Sequence, residues 1–393
     1  MDGCNKEMSQ IETDILIIGG GPAGSTTALF LSQLGFNITI IEKKTFPRET
    51  LCGEFLSKEV IDILKELNVF DDFISLDPNK LKSFRAVDKS GIELKSKLNF
   101  EAYAMKRSVF DSFLLEKAKS RNVNVLQPAE VISTKKNNSE FVSEIKDSLD
   151  QIVQVKSQLV IAAYGKQNVL DKKLQRDFVT KKSSLNGIKF HLPVSLLKSS
   201  FRDEIRIYTN EELYCGMNQV SDTEMTVCFL ENRKQSKIPS RARLIDVTKS
   251  NKHFQKIFSE DAINYIRSTN LYGTGNIYFG SREVVENGVI MVGDAAQVIS
   301  PLAGDGIGMA MESAKLLSDI IGIYKLDNNN REKMHSSYKE QYKSTFKKRL
   351  STAKIIQSVI LNKRSRKLGF RFVNKYPSLL PYLIKFTRSS KTA

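Results

Sequence analysis

Residues 14–24 read Asp-Ile-Leu-Ile-Ile-Gly-Gly-Gly-Pro-Ala-Gly, an apolar, β-branched run that ends in a glycine-rich turn. A short run of this kind predicts a buried parallel strand. Small and apolar residues then recur at helical spacing until Gly35, and residues 37–42, Asn-Ile-Thr-Ile-Ile-Glu, predict a second strand. These pieces form a strand–helix–strand unit of about 30 residues. The sequence therefore predicts an α/β fold built around a Rossmann-like domain.

The glycine-rich turn has the spacing Gly19-x-Gly21-x-x-Gly24 and opens a helix directly after a strand. Glycine lets the backbone approach a diphosphate, and the helix N-terminus offers free N–H groups and partial positive charge. Glu42 follows 18 positions after Gly24, where a carboxylate accepts hydrogen bonds from ribose hydroxyls. The alternative is a glycine-rich turn beside a solvated Glu. The predicted dinucleotide-binding residues here are Gly19, Gly21, Pro22, Ala23, Gly24, Glu42 and Lys43.

A second stretch, far along the chain, indicates which dinucleotide is bound. Gly293-Asp294 follows a buried strand and leads through residues 300–308, Ser-Pro-Leu-Ala-Gly-Asp-Gly-Ile-Gly, into a helix. A buried Asp at the end of a strand suits a flexible polyol, because it accepts hydrogen bonds from hydroxyls. The second glycine loop places a helix N-terminus where negative charge can sit. Reduced flavin carries such charge, and NAD has no ribityl chain. We therefore expect non-covalently bound FAD.

These motifs resemble those of flavoproteins with the para-hydroxybenzoate hydroxylase fold, which include class A aromatic hydroxylases, geranylgeranyl reductases and flavin-dependent halogenases. The resemblance covers residues 12–335 and includes Arg107, which precedes a helix. It implies that Arg107 lies near the ribityl or phosphate region and that Asp294 holds the ribityl chain. It also implies that Gly306 and Ile307 lie at the pyrimidine edge of the flavin. The alternative for Arg107 is a surface Arg beside its helix.

Residues 47–57, Pro-Arg-Glu-Thr-Leu-Cys-Gly-Glu-Phe-Leu-Ser, resemble the Cys-Gly-Glu segment of geranylgeranyl-reductase-like proteins and of related bacterial monooxygenases. In that family the segment passes beside the isoalloxazine ring, so the resemblance implies that Gly53 permits close approach to the ring. Cys52 is interpreted as a redox or proton-relay thiol, or as a packed, inert Cys. Glu54 is interpreted as a buried acid or as a cap for the following helix. Cys52, Gly53 and Glu54 are the candidate catalytic residues.

Several absences from the sequence narrow the reaction. Flavin-dependent halogenases carry a Trp-containing motif, and this chain has no Trp. Aromatic hydroxylases carry an Asp-Gly motif associated with FAD and NAD(P)H where this chain has Ala163-Tyr164-Gly165. That departure argues against hydroxylase-style use of NAD(P)H, which stays one candidate electron donor. The four Cys lack CxxC spacing and the three His are scattered, so we expect reduced thiols and no metal site.

The nucleotide-binding pieces come from both ends of residues 1–335, which predicts a discontinuous domain. Turn-bounded β-rich stretches in between predict a second domain that faces the substrate. We assign residues 1–75, 100–170 and 276–335 to the FAD-binding domain, residues 76–99 and 171–275 to an inserted β-rich substrate domain, and residues 336–393 to a basic helical C-terminal segment.

The positive charge is concentrated near the C-terminus. The chain has 60 Lys and Arg against 44 Asp and Glu, a net charge of +16. Residues 341–393 hold 14 of the basic residues and no acidic ones, so residues 1–340 carry 46 against 44. Such a segment binds an anionic membrane or an acidic carrier protein, or it caps the substrate cavity with a solvated basic face. No recognised nucleic-acid-binding module accompanies it, so we expect no nucleic-acid partner.

Three functions are compatible with the sequence. We favour an FAD-dependent monooxygenase that hydroxylates or epoxidises an aromatic or lipophilic secondary metabolite through a flavin hydroperoxide, in a pocket that excludes water. The second is a flavin-dependent C=C reductase of prenyl or polyene lipids, and the third is a non-catalytic FAD-binding scaffold or redox sensor. The N-terminus has no secretory signal, and no run of about 18 apolar residues occurs. We expect a cytoplasmic protein, at most peripheral on the inner membrane face.

Overall fold

The glycine-rich loop lies at the carboxyl edge of a parallel sheet, between the first strand and the helix that follows it. The computed structural model describes residues 10–234 and 238–389. Strand β1 (Gln10–Ile18) pairs in parallel with β2 (Ile38–Ile41), and α1 (Pro22–Ser32) connects them. The second half of β1 and all of β2 are buried on both faces, as apolar runs of this kind require. The predicted strand–helix–strand unit is confirmed.

The remaining elements are numbered in chain order. The strands are β3 (Phe55–Leu56), β4 (Asn79–Asp88), β5 (Glu93–Ala104), β6 (Asn124–Leu126), β7 (Glu130–Asn137), β8 (Glu140–Lys146), β9 (Ile152–Ala162), β10 (Leu185–Pro193), β11 (Glu204–Asn210), β12 (Leu213–Gln219), β13 (Glu224–Asn232), β14 (Tyr272–Thr274), β15 (Val285–Glu286) and β16 (Val289–Met291). The helices are α2 (Lys58–Glu66), α3 (Phe70–Ile74), α4 (Arg107–Lys119), α5 (Val169–Lys173), α6 (Ser240–Ser250), α7 (Lys252–Gln255), α8 (Glu260–Ser268), α9 (Gly306–Tyr324), α10 (Arg331–Leu361), α11 (Lys363–Lys375) and α12 (Leu379–Phe386).

The first sheet holds the nucleotide-binding elements. Its strand order is β15-β16-β9-β1-β2-β6, and the hairpin β7–β8 continues from β9. All the pairs from β16 to β6 are parallel. β16 therefore ends beside β9 and close to β1, although about 270 residues separate β16 from β1 along the chain. The sheet thus brings the segment after β16 to the same edge as the glycine-rich loop.

The second sheet has the order β14-β10-β13-β12-β11-β4-β5-β3 and is antiparallel except for the β4–β11 pair. Helices α6, α7 and α8 cover one of its faces, where Phe190 and Phe229 pack with Phe254. The β-rich character of this region is confirmed, while these helices were missing from the sequence interpretation. Because side chains alternate along a strand, Lys189 and His191 lie on the opposite face, toward residues 49–54.

Parts of the second sheet come from segments that the sequence placed in the FAD-binding domain. Strand β3 and the last residues of β5 pair with each other and belong to this sheet. The domain limits that were set at residues 75, 99 and 170 stay predictions.

The C-terminal segment is helical, as predicted, in its described part, while residues 390–393 of the predicted segment lie outside the described residues. Helix α10 packs against α9, and α11 and α12 pack against β5. Two arginines of the segment are buried rather than solvated: Arg349 pairs with Asp305 and Arg366 with Asp88, each at 2.8 Å. The first pair attaches the segment to the residue before α9, and the second attaches it to the end of β4 in the second sheet. Among the described residues, no helix is both long and apolar enough to cross a membrane.

Candidate active site

The glycine-rich loop forms a cradle that admits no side chain at two positions. Gly19 has a φ of +107°, which favours glycine, and a Cβ at Gly24 would lie 1.9 Å from the Gly19 carbonyl oxygen. Gly21 precedes α1 in an extended conformation, and no side chain caps the helix. The first amides of α1, around Ala23, are thus left for a ligand. This arrangement fits the predicted diphosphate.

Glu42 and Lys43 have different surroundings. Glu42 is 6% exposed, and its carboxylate accepts hydrogen bonds from the backbone N–H of Gly20 at 2.8 Å and of Lys44 at 2.9 Å. These bonds hold the carboxylate beside the loop, and each oxygen keeps a lone pair for a ribose hydroxyl. The Lys43 ammonium is exposed and pairs with Glu130 at 2.7 Å. The structure therefore brings Glu42 to the loop and engages Lys43 elsewhere.

Two arginines lie beside the loop and share one buried carboxylate. Arg107 forms a two-point contact with Asp111, at 2.5 and 2.8 Å, and Arg48 lies 3.4 Å from the same carboxylate. A Cβ placed on Gly21 would lie 3.4 Å from Arg48 Nη2 and 3.9 Å from Arg107 Nη2. Burial alone would lower the pKa of Arg107, but Asp111 raises it above its usual value, so Arg107 stays protonated. Two cations at the cradle suit a diphosphate.

The segment after β16 packs directly against this cradle. Gly293 has a φ of +61°, and a Cβ there would lie 2.8 Å from the Ala23 side chain, so α1 and this turn touch. Asp294 follows and is half-buried, and within the described residues its carboxylate accepts no hydrogen bond. A half-buried carboxylate that no described residue hydrogen-bonds fits the predicted ribityl chain. The cradle, the two arginines and the Asp294 carboxylate together fit FAD.

Helix α9 begins at Gly306, and the residue before it is a buried carboxylate. Asp305 accepts hydrogen bonds from Arg349 at 2.8 Å and Ser57 at 3.1 Å. Burial raises the pKa of Asp305 to about 7, and the neighbouring Glu59 adds to the rise. The Arg388 guanidinium donates to the carbonyls just before Asp305, at 3.0 and 3.3 Å. The C-terminal segment therefore holds the loop that leads to Gly306 and Ile307.

Glu54 is the centre of a buried polar cluster. Its backbone is left-handed, with a φ of 57°, and its carboxylate is 0% exposed. One oxygen accepts from Lys189 at 2.5 Å and from the Arg107 backbone N–H at 2.8 Å. The other contacts His191 Nε2 at 2.7 Å and also accepts from the Thr226 hydroxyl. We call Glu54, Glu49, Lys189, His191 and Thr226 the Glu54 cluster.

The charge state of the cluster follows from these contacts. Burial would raise the pKa of Glu54, but His191 and Lys189 lower it to about 2. Burial would lower the pKa of Lys189, and Glu54 and Glu49 raise it instead. Glu54 is therefore a permanent carboxylate and Lys189 a permanent ammonium at neutral pH. Glu54 accepts from the first amide of α4 and not from α2, the helix that follows it in the chain, so neither sequence interpretation describes this contact. An ionised Glu54 also has no proton to give as an acid.

Cys52 and Gly53 precede this cluster. The half-buried Cys52 sulfur accepts a hydrogen bond from the Glu54 backbone N–H at 3.3 Å. A Cβ added to Gly53 would meet nothing within 4 Å, so the space in front of it is open to a ligand. Cys52, Gly53 and Glu54 thus lie together, at the junction of the two sheets, where their roles as catalytic residues stay predictions.

The cluster contains a set of oxygen and nitrogen atoms that resembles a metal site. Glu49, Glu54 and His191 each offer a ligand atom within 4.8 Å of the others. The Lys189 ammonium lies 2.7 Å from Glu49 and 2.5 Å from Glu54. It occupies the position between the carboxylates that a metal ion would need, so the cluster is better described as an internal ion pair.

Sequence reasoning missed Arg48, Asp111 and the members of the cluster that come from β10 and β13. Lys189 and His191 stand two residues apart on a strand and thus share a face, but this spacing is common in exposed strands. The feature that distinguishes Lys189 is its burial, and this is evident only in the folded structure. Asn218 on the neighbouring β12 lies on the same face, and its Nδ2 is buried without a hydrogen-bond partner. It is a further group available to a ligand.

A separate groove of about 550 Å³ runs between α10 and residues 279–300. Its cationic lining consists of Arg282, Lys339, Lys343, Lys347 and Lys354. Its apolar lining includes Phe279, Val284, Val298 and Leu350. The groove therefore has both cationic and apolar lining residues.

The protein family described as "FAD binding domain" matches residues 12–353. The chain belongs to this family. It is an FAD-dependent oxidoreductase, and an enzyme rather than a non-catalytic scaffold, in agreement with the similarity of its motifs to the para-hydroxybenzoate hydroxylase superfamily.

Individual relatives carry out different reactions. The chain is 25% identical over 385 residues to a 1H-pyrrole-2-carbonyl-[peptidyl-carrier protein] chlorinase of Pseudomonas fluorescens. This alignment covers 85% of this chain and 80% of the relative. It is 24% identical to the digeranylgeranylglycerophospholipid reductase of Picrophilus torridus, over 86% of this chain and 85% of that protein.

Solved structures share the fold. A geranylgeranyl bacteriochlorophyll reductase-like protein from Thermoplasma acidophilum matches with a TM-score of 0.78 and 20% identity, over 95% of this chain and 92% of that one. Flavin-dependent halogenases and a p-nitrophenol 4-monooxygenase also match. The fold is therefore common to reductases, halogenases and monooxygenases, and the reaction has to be inferred from the site.

Proposed function

We propose that the protein is an FAD-dependent monooxygenase that hydroxylates or epoxidises an aromatic or lipophilic small molecule. The observation that carries this proposal is the Glu54 cluster, a set of fixed charges and proton-bearing groups between the flavin-binding elements and the second sheet. When bound and reduced, FAD supplies the activation of O₂. The protein then has to position the substrate, manage protons and exclude water.

Within the cluster, His191 is the group suited to exchange a proton with a substrate. Its Nε2 is held by Glu54, and its Nδ1 lies 3.9 Å from Glu49, beyond hydrogen-bond distance. Nδ1 is thus left for a substrate hydroxyl. Glu54 and Lys189 act as positioning residues, because their ion pair fixes the orientation of the imidazole. A phenolic substrate, which reacts faster as its proton is withdrawn, matches this arrangement.

The walls next to the cluster are apolar. Tyr214, Leu230, Ile277 and Val298 form a buried group, against which Leu51 and Leu302 pack, among other residues. Leu51 directly precedes Cys52, and Leu302 belongs to the loop before α9, so this apolar group connects both flavin-binding segments with the second sheet. Such a lining suits a lipophilic substrate and limits the access of water.

We retain NAD(P)H as the proposed electron donor. The Tyr164 hydroxyl, at the position where aromatic hydroxylases carry Asp, donates to Asp171 at 2.7 Å and accepts from Arg176 at 3.3 Å. These contacts engage Tyr164 within the protein. Because Tyr164 replaces that Asp, we expect NADH or NADPH to reduce the bound flavin slowly when added alone. We expect faster reduction of the flavin when a separate flavin reductase is also present.

The second candidate function is the addition of two hydrogens to a C=C bond of a prenyl or polyene lipid. It is favoured by the similarity to the Picrophilus torridus reductase over most of both chains. The same apolar lining would accept such a substrate. Halogenation, the reaction in the name of another relative, is not proposed because the chain has no Trp for the motif of flavin-dependent halogenases.

One experiment separates these functions. The bound flavin is first reduced in the absence of oxygen. One sample then receives ¹⁸O₂ together with a panel of lipophilic phenols, and a second sample receives a polyene lipid without oxygen. The proposal predicts oxidation of the flavin by O₂ and a product that carries ¹⁸O. Oxidation of the flavin by the alkene alone, with a product heavier by two hydrogens, would replace the proposal with the second candidate.

A further inference from the structure

The surface of α11 and α12 carries exposed aromatic side chains that no other described part of the chain has. Four Phe and Tyr side chains are exposed in the described ranges: Phe372, Tyr376, Tyr382 and Phe386, at 57, 45, 61 and 49%. Three of them lie on these two helices, and Tyr376 directly follows the last residue of α11. The exposed Leu368, at 66%, precedes Phe372 by one turn. Exposed aromatic groups concentrated in one place mark an interaction surface.

The pattern is regular along both helices. Leu368 and Phe372 are four residues apart, which places them on one side of α11, and Tyr376 follows at the same interval directly after the helix. Tyr382 and Phe386 repeat the same interval on α12. The rings of Phe372 and Tyr376 are 5.2 Å apart, so the stripe is continuous.

A cationic stripe runs directly beside the apolar one. Lys367, Arg371 and Lys375 each precede a member of the apolar stripe by one position, and all three are exposed. Within the described residues none of them pairs with a carboxylate, whereas Lys363 on the same helix pairs with Glu211. We call the two stripes together, with Tyr382 and Phe386, the C-terminal amphipathic face.

The opposite side of α11 fixes the direction of this face. Phe370 and Val373 are buried against Ala86 and Leu94 of the second sheet. Arg366, also buried, pairs with Asp88 at 2.8 Å. The helix therefore cannot turn its apolar stripe inward without breaking these contacts, and the stripe remains available to a partner.

We propose that the C-terminal amphipathic face binds the surface of an anionic phospholipid bilayer. Aromatic side chains prefer the boundary between headgroups and hydrocarbon, and each Lys or Arg near an anionic surface adds about 1 kcal/mol of attraction. A second copy of the chain is a poor partner, because a two-fold contact would oppose the same cationic stripes. Residues 1–340 carry 46 basic and 44 acidic residues, so they add no net negative charge to oppose these stripes.

The location of the face links it to the active site. Directly after α12, the Arg388 guanidinium donates to the carbonyls of Ala303 and Gly304, in the loop that precedes α9. Binding at the face would thus hold the flavin-binding loop close to the bilayer, from which a lipophilic substrate partitions. The binding itself does not depend on which reaction the enzyme performs.

The test is flotation of the full-length holoprotein with vesicles, either of phosphatidylcholine alone or of equal parts phosphatidylcholine and phosphatidylglycerol. We expect binding to the anionic vesicles that weakens with added salt, and little binding to the neutral ones. The triple substitution K367Q/R371Q/K375Q should lower the partition coefficient by about a hundredfold, because three such attractions are lost. The double substitution F372S/Y376S should also lower it.

The matched control is K343Q/K347Q/K354Q, which removes the same number of charges from the same segment but from the groove beside α10. It should retain most of the binding. Unchanged FAD content in every variant shows that the exposed substitutions leave the fold intact. An equal loss in the control, equal binding to neutral vesicles, or no vesicle binding at all would overturn the proposal.

Two other results would assign the face to a different partner and so also overturn it. One is a dimer in light scattering that F372S/Y376S converts into a monomer. The other is binding of an acidic acyl carrier protein that K367Q/R371Q/K375Q abolishes while vesicle binding stays the same.

Discussion

The glycine-rich loop and the Glu54 cluster lie on either side of Arg107, and they are built from different parts of the chain. Arg107 contacts the Glu54 carboxylate through its backbone N–H, while its guanidinium lies near Gly21. The loop offers main-chain groups of six consecutive residues, 19–24, to a ligand. The cluster uses side chains that are as far apart as Glu54 and Thr226, 172 positions along the chain. A site built from main-chain groups requires glycines at fixed spacing, which can be recognised in the sequence. A site built from side chains at distant positions has no such local motif.

The substitution with the largest expected effect on the loop is Gly24→Ala. Because the new methyl group would lie 1.9 Å from the Gly19 carbonyl oxygen, the backbone of the cradle has to move. We expect the variant to purify without FAD, as measured by absorbance. Gly322→Ala is the control, since its Cβ would lie at an ordinary 3.4 Å from the Leu34 side chain. Full FAD content in Gly24→Ala would contradict the role of the cradle.

In the Glu54 cluster, Lys189→Met should have the largest effect on stability. It leaves the buried Glu54 carboxylate without its ammonium partner, which costs about 3–5 kcal/mol of unfolding free energy. The double variant E54Q/K189M removes the stranded charge as well, so it should be more stable than K189M alone. Denaturant unfolding of both variants measures the difference, and equal stabilities would show that the ion pair has little effect.

The pH dependence of the same variant provides a second measurement. In the native protein the pKa of Glu54 is about 2, below its ordinary value of 4.5, so its ionised form contributes stability above pH 4.5 that is lost as the pH falls toward 2. Without Lys189 this pKa is lowered less, while the hydrogen bond from His191 remains. K189M should therefore lose less stability than the native protein as the pH falls from 4.5 toward 2. Parallel pH profiles would contradict this account.

His191→Gln tests the proposed chemistry rather than the fold. Removing a proton-exchanging group lowers rates by about 10²-fold or more. We therefore expect a drop of this size in kcat for product formation, with unchanged FAD binding. His253→Gln is the control, because His253 lies near Gly91, away from the cluster. A kcat equal to that of the control variant would remove His191 from the mechanism.

The smallest effect is expected for Arg48→Gln. A charge-assisted hydrogen bond contributes about 1.5 kcal/mol or more, so loss of this cation beside Gly21 should weaken FAD binding by about tenfold. Arg107 remains to contact the diphosphate. Fluorescence titration of the apoprotein with FAD measures the effect, and the exposed Arg202→Gln is its control. If Arg48→Gln binds FAD as tightly as Arg202→Gln, the second cation is not part of the site.

The parts of the molecule that the sequence predicted are those with short-range signals. The spacing of Gly19, Gly21 and Gly24, the position of Glu42 and the Gly293-Asp294 turn each reflect local backbone requirements, and the parallel sheet brings them together. Lys43 was less predictable, because its contact with Glu130 depends on where β7 lies. A residue next to a functional one in the sequence need not share its direction.

The side chains that sequence analysis missed depend on the pairing of distant strands. Lys189 and Thr226 meet Glu54 only because β10 pairs with β13 and their common face turns toward residues 49–54. Nothing in residues 171–275 distinguishes these two from exposed strand residues. The tail shows the same limit: its basic composition was evident, but Arg366 is buried in an ion pair while Arg371 is exposed.

The central claim is that two distant segments, residues 14–43 and 289–307, hold one FAD along its length. The direct measurement is the flavin content of the purified native protein, combined with release of the cofactor on denaturation. The account predicts a yellow protein with one FAD per chain, released intact, and loss of that FAD in both Gly24→Ala and a variant at the other segment, Gly293→Val. A colourless protein that FAD cannot reconstitute would contradict it.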